Sequence, residues 1–284
     1  MERAASLGAY TTRDVAGLLG LSERQVRAYV RAGFLAPPRG PHGELRFSFQ
    51  DLVLLRTAHG LVAARVPNRR VRAALAGLRE QLPSGRPLSA VRILADGKRV
   101  IARDGREVWN PESGQAILDF EVAELIRDAA PFAQRAAADA RAAEGELDAD
   151  DWFELGCAWE TTAPAEAGDA YRRALALDGG HADAHLNLGR LLHEEGDLAG
   201  AEEHFRRALE ARPDDATAAF DLGVALEDLE RLPDAAAAYE RALAVDPGYA
   251  DAHYNLAGIC EKLGKVAPAI AHWKAYRRLV GEPG

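Results

Sequence analysis

Four stretches set one above another decide the second half of this chain: AGDAYRRAL at 167–175, AEEHFRRAL at 201–209, AAAAYERAL at 235–243 and AIAHWKAYR at 269–277. Ala167, Ala201, Ala235 and Ala269 recur every 34 residues, and so do the aromatics Tyr171, Phe205, Tyr239 and Trp273. Leu155-Gly156, Leu188-Gly189, Leu222-Gly223 and Leu256-Ala257 mark a first helix in each unit, the first copy being one residue short in its turn. Pro213 and Pro247 close two of the units. A fixed period of this length predicts stacked helix pairs, in which each unit buries its apolar face only against its neighbours. Small Gly and Ala let two antiparallel helices approach, and the aromatic fills the space where the next pair stacks.

These columns resemble the tetratricopeptide repeat, whose opening is matched by Trp152, Leu155, Gly156 and Trp159. The resemblance covers residues 149 to about 280 and implies an α-solenoid that holds a protein or peptide on its concave face. Asn187, Asp221 and Asn255 share one column there, with Asp183, Glu227 and Asp251 on the same helices. Carboxylates at those places would repel a carboxylate ligand, so the groove is expected to take a basic or neutral segment, unless these are simply solvated helix faces.

The other half differs in charge. Residues 1–82 hold thirteen Arg/Lys against six Asp/Glu, a balance of +7, whereas 149–284 hold thirteen against twenty-six, −13, within a chain of net charge −9. A basic head on an acidic body points to a polyanionic partner for the head. Within it, Thr11 with Asp14, Ser22 with Gln25 and Ser48 with Asp51 place a hydroxyl cap three residues before an acceptor side chain. Tyr10 with Val15, Leu21 with Val26 and Phe47 with Leu52 supply the flanking apolar pairs, so three helix starts are specified. Only Gly20-Leu21 separates the first two helices, the tight turn of a helix-turn-helix. Pro37, Pro38, Gly40, Pro41 and Gly43 then forbid helix and suggest a hairpin wing ending at Leu45-Arg46-Phe47.

YTTRDVAGLLGLSERQVRAYVRAGFLAPPR at 10–39 and ELRFSFQDLVLLR at 44–56 resemble the MerR family of bacterial transcription regulators. The resemblance covers about residues 9–82 and implies a winged helix-turn-helix that binds double-stranded DNA. Ala28 departs from the pattern, standing where the family usually has the first of two adjacent aromatics, while Arg27 and Tyr29 keep their places. Glu23, Arg24 and Arg27 project from the first turns of the expected recognition helix, where side chains reach base edges. Arg46 on the wing, and Arg65, Arg69, Arg70 and Arg72 beyond it, are placed to neutralise phosphates. The family dimerises through a long helix directly after this domain. Here Pro83-Ser84-Gly85 stops the chain where that helix should begin, so a dimer would need another route.

Between the halves, VRILADGKRVIARDGREVW at 91–109 alternates apolar and polar residues around Asp96-Gly97 and Asp104-Gly105, predicting a small β-meander that ends near Gln115 to Phe120. It should lean on a helix at Val122 to Ile126, with a further Ala-rich helix from Phe132 to Gly145 leading into the repeats. The expected organisation is thus mainly α: a winged helix-turn-helix at 1–82, a meander connector at 83–130, a helical linker at 131–148 and four repeats at 149–284.

Catalysis has little in its favour. No Gly-rich phosphate loop or nucleophile elbow follows a strand. His181 and His185 invite a metal, yet His185 and His253 are equivalent repeat positions, which favours a structural role. Cys157 and Cys260 read as small core residues of first helices. No enzyme, cofactor, metal or membrane partner is expected, and MERAASLGAY lacks the apolar core of a signal peptide, so the expected compartment is the cytoplasm. Two rival functions stay open: an assembly adaptor whose helix-turn-helix binds protein, and a regulator with a small-molecule pocket in the meander.

Overall fold

The computed structural model describes residues 10–40, 43–63, 68–81, 91–96, 99–104 and 116–281. The chain packs as two units, Met1–Ala170 and Tyr171–Gly284, so the division falls inside the second helix of the first repeat.

In the first unit, strand β1 (Tyr10–Thr11) leads into α1 (Thr12–Leu19) and α2 (Glu23–Arg31). All three sequence-predicted caps are made. The Asp14 N–H donates to the Thr11 hydroxyl (3.2 Å), and the Thr11 N–H donates back to the Asp14 carboxylate (2.9 Å). Ser22 with Gln25, and Ser48 with Asp51, repeat the reciprocal pair. Gly20 ends α1 at φ +64°, a left-handed conformation that places Leu21 in the core and Ser22 at the next cap. The wing is a narrow hairpin in which Arg39 pairs with Leu45 and the Gly40 N–H donates to the Glu44 carbonyl (2.8 Å). Its returning arm, β2 (Arg46–Phe47), lies antiparallel on β1, and α3 (Phe49–Ala63) and α4 (Asn68–Gln81) follow.

The core of this head gathers Val15, Val26, Phe47 and Leu52, all fully buried, and it does not close within the first 82 residues. Leu125 and Ala129, from the far side of the connector, belong to the same core, and the Phe132 ring lies 6.4 Å from that of Tyr10. They sit on α5 (Val122–Ala142), a single helix that runs through Pro131 where the sequence suggested two. Pro131 removes one backbone bond, a cost of roughly 3 kcal/mol in a helix interior. Its ring faces solvent, while Leu125, Ala129, Ala133, Ala137 and Ala140 form one buried stripe on the opposite side. Burial at spacings of three and four residues on both sides of the proline is what carries the helix through it.

The connector is a three-stranded antiparallel sheet: β3 (Val91–Asp96), β4 (Arg99–Asp104) and β5 (Ala116–Glu121). Its order is β4-β3-β5, so the last strand pairs with β3 and not with its predecessor. A tight turn at Asp104-Gly105 would have paired β4 with β5; the connection from 105 to 115 lies outside the described residues, as do Gly97 and Pro83-Ser84-Gly85.

The repeats comprise α6 (Ala149–Trp159) and α7 (Pro164–Leu177), then α8 (Ala182–Glu195) with α9 (Leu198–Ala211), α10 (Ala216–Asp228) with α11 (Leu232–Val245), and α12 (Ala250–Lys262) with α13 (Val266–Val280). In the second unit the expected close approach is real: a Cβ on Gly189 would stand 2.7 Å from the Phe205 ring, and one on Gly223 2.5 Å from that of Tyr239. The last unit has Ala257 in this column, and there Trp273 is only half-buried, with its indole N–H donating to Glu261 (2.9 Å). The turn between paired helices is left-handed in the last three of the four copies, at Gly196, Glu230 and Gly264, so Glu230 (φ +59°) carries strain that the two glycines avoid.

Candidate nucleic-acid interface

Helix α2 displays Arg24, Arg27 and Arg31 at spacings of three and four, on the face opposite buried Val26. Between this face and the wing lies an open cleft of about 670 Å³ lined by Thr12, Arg24, Arg27, Arg31, Arg39 and Glu44, among others. Four guanidinium groups therefore border one recess. Arg39 is fixed on the wing by donating to the Gly43 carbonyl (2.7 Å), and Arg27 is steadied by Glu23 one turn earlier (2.8 Å). That pair is more than 40% exposed on both sides, so it orients Arg27 more than it stabilises the helix.

Several residues expected at the interface turn out to have internal partners. Arg46 is 17% exposed and bound to Glu44 at 2.6 Å, which props the returning arm of the wing. Arg72, exposed on α4, reaches the Ala32 carbonyl at the C-terminus of α2 (3.4 Å), where a cation complements the helix dipole. The Tyr29 hydroxyl meets His59 Nδ1 at 3.0 Å and its ring stacks on Phe34 (5.8 Å), so it joins α2 to α3. Arg69 is exposed; Arg65 and the Arg70 side chain lie outside the described residues. Arg31 and Arg39 are the members that sequence reading missed. Arg31 could have been found from its spacing to Arg24 and Arg27, whereas Arg39 needed the wing to be folded.

In the second unit the column Asn187, Asp221, Asn255 faces neighbouring helices. Asn187 donates to the Tyr171 hydroxyl (3.2 Å) and Asn255 to that of Tyr239 (3.1 Å). At the middle junction the aromatic is Phe205, which has no hydroxyl, and Asp221 takes the guanidinium of Arg190 instead (2.6 Å). Burial still pushes the Asp221 carboxyl above its ordinary range. Glu227 accepts from Tyr239 (3.2 Å) and Lys262 (2.8 Å), while Asp251 stays exposed. The column thus locks repeat to repeat, which the sequence alone assigned to a ligand groove or a solvated face.

Residues 10–78 match the model of the MerR helix-turn-helix family of regulatory proteins, and residues 158–216 and 220–281 match that of the tetratricopeptide repeat. The chain joins a MerR-type helix-turn-helix to tetratricopeptide repeats. Among solved structures, the crystal structure of MamA is similar at 21% identity and a TM-score of 0.49, over 52% of this chain and 86% of its own. A structure of Pseudomonas aeruginosa pilF follows at 21% and 0.46, over 51% and 68%. No curated protein matches the chain in sequence. The two matched families are regulatory and protein-interaction modules, and no helix among the described residues is long and apolar enough to cross a membrane.

The tetratricopeptide array also explains its histidines. His185 and His204 meet Nδ1 to Nδ1 at 2.9 Å, and His253 and His272 repeat the contact two units later at the same distance. His185 donates from Nε2 to the Gly179 carbonyl (3.2 Å), which leaves its Nδ1 to accept from His204. A second proton on either pair would set two N–H groups face to face. Burial, then the partner imidazole for His204 and His272, lowers the pKa of His185, His204 and His272; Glu203 opposes this in the first pair and Glu240 in the second, while Arg207 and His181 add to it at His185. Among the described residues no three His, Cys, Asp or Glu cluster as metal ligands. Cys260 is buried as expected, but Cys157 is exposed, because it stands in the column of half-exposed Arg190.

Because the folded pKa values are depressed, the unfolded chain takes up protons near pH 6.5 while the folded chain does not. This contribution to stability is complete above about pH 6.5 and is lost as pH falls through that value toward the folded pKa. The thermal midpoint is therefore expected to fall between pH 7.5 and 5.5, and to fall less in the double variant His204→Gln, His272→Gln. A melting series equally flat, or equally steep, in both proteins would remove the paired histidines as the cause.

Proposed function

We propose that the chain is a DNA-binding transcription regulator whose MerR-type head holds duplex DNA and whose tetratricopeptide array recruits a protein in place of an effector domain. The observation that carries this reading is the recess between α2 and the wing, bordered by Arg24, Arg27, Arg31 and Arg39. Arg24 and Arg27, on the first turns of α2, are the groups assigned to base edges, and Arg31, Arg39 and Arg69 those assigned to phosphates. Arg46, Arg72 and Tyr29 hold α2 and the wing in position. The carboxylate excess of the array favours a basic or neutral segment as its protein ligand.

Titration of the full-length chain with mixed duplex DNA across a salt series tests the reading. With about three phosphates neutralised, by Arg31, Arg39 and Arg69, log affinity should fall against log salt with a slope near −3. Absence of any complex at low salt would reject DNA as the partner and leave the adaptor reading in its place. The full chain is the proper reagent, because a fragment ending at residue 82 lacks Leu125 and Ala129 of the head's own core.

A further inference from the structure

The rotation of α2 about its own axis is fixed by contacts on its inner side. Val26 is fully buried, the Tyr29 hydroxyl meets His59, and Ser22 with Gln25 closes the first turn. At about 100° per residue, the ridge opposite Val26 runs through Arg24, Ala28 and Arg31, at i, i+4 and i+7, and all three are exposed. Among the described residues no hydrogen bond or ion pair engages the Arg24 or Arg31 side chain, whereas Arg27, to one side of the ridge, is held by Glu23. The leading ridge of the helix therefore consists of two unengaged guanidinium groups with a notch between them, and the floor of the notch is the Ala28 methyl.

A side chain that ends at Cβ has no hydrogen bond to give a base; what it gives is a small apolar surface. The apolar feature of the major groove is the C5-methyl group of thymine, and 5-methylcytosine carries the same methyl. The flanking cations choose between these two bases. A guanidinium only donates, and thymine sets its O4 acceptor beside the methyl, whereas cytosine sets its N4 amino donor there. Arg24, by the same reasoning, takes the O6 and N7 acceptors of guanine. Four residues of helix separate Arg24 from Ala28, a rise of about 6 Å, which spans at most about two base-pair steps of ~3.4 Å.

We propose that Ala28 is a specificity-determining residue of the DNA site, reading the methyl group of a thymine within two base pairs of the guanine taken by Arg24. The proposal rests on the DNA-binding reading above and adds to it which bases the helix selects. Arg31, in the last turn of the same ridge, stays on phosphate and positions the helix without choosing a base.

The test uses the full-length chain and the duplex it prefers, selected from a randomised pool. Each thymine is replaced in turn by deoxyuridine, which lacks only the methyl, and each guanine by 7-deazaguanine, which lacks the N7 acceptor. At one position deoxyuridine is expected to weaken binding about fourfold, the worth of one buried methyl. That position should lie within two base pairs of a guanine whose 7-deaza effect disappears in Arg24→Gln. The deoxyuridine effect should vanish in Ala28→Gly, an exposed position at which an unchanged circular dichroism spectrum verifies the fold. At the same base pair 5-methylcytosine should bind better than cytosine and less well than thymine. A preferred duplex indifferent to deoxyuridine at every thymine, or an effect that persists in Ala28→Gly, overturns the proposal and leaves DNA binding in place. Tighter binding of 5-methylcytosine than of thymine overturns the choice of base. No complex with any duplex removes the DNA-binding reading itself, and this proposal with it.

Discussion

Arg24→Glu combined with Arg31→Glu in the full-length chain should weaken duplex DNA binding by at least about 30-fold, each base- or phosphate-contacting arginine being worth roughly 1–3 kcal/mol. The salt slope should shrink by about 1, because one phosphate contact, that of Arg31, disappears. Both side chains are exposed and neither anchors the core, which rests on Val26 from the other side of α2, so the thermal midpoint should not move. Arg46→Gln should behave differently: its guanidinium is mostly covered and engaged by Glu44, so its loss loosens the wing and weakens specific and random DNA alike. Gel shifts on a preferred and a scrambled duplex separate these outcomes. Unchanged affinity in the double variant would remove the recess from the interface.

Gly223→Val should destabilise the array by about 3–5 kcal/mol. Overpacking alone costs roughly 1–3 kcal/mol. Here the intruding Cβ lies 2.5 Å from the Tyr239 ring, which is fully buried. The ring cannot swing aside without breaking hydrogen bonds to Asn255 and Glu227, each worth roughly 1 kcal/mol. Gly258 is the control: it lies inside α12 with nothing within 4 Å of an added Cβ, so Gly258→Ala should stabilise by about 0.5–1 kcal/mol through helix propensity alone. Urea unfolding of both variants measures the contrast, and a Gly223→Val protein as stable as wild type would mean that the aromatic column does not set the repeat's spacing.

What could be read without coordinates was whatever is local or periodic. Capping is decided within four residues, so Thr11, Ser22 and Ser48 announce their helices unaided. The 34-residue columns overdetermine the array because four copies vote on each position. Contacts between distant segments left no such trace. That Leu125 and Ala129 complete the head's core depends on a 21-residue helix returning across the sheet, and an exposed Pro131 disguised that helix as two. The antiparallel sheet was legible from alternation, but which edge β5 chose was not, since either edge offers the same free backbone groups. Arginines looked equivalent in sequence; only the fold separates Arg24 and Arg31, which border the recess, from Arg46 and Arg72, which brace it.

The alternating locks between repeats, Tyr171 with Asn187, Arg190 with Asp221, and Tyr239 with Asn255, give the array a memory of its own numbering. Helix pairs of identical length and near-identical cores could slip by one unit or exchange between molecules during folding. Excising residues 206–239 preserves the 34-residue phase, yet it would set Asn255 against Phe205, an amide with no hydroxyl to receive it, and leave Arg190 facing that amide in place of a carboxylate. Each unit therefore fits its proper neighbour better than its twin. Mispaired arrays are disfavoured by unmatched polar groups at the seam, not by any difference in hydrophobic filling.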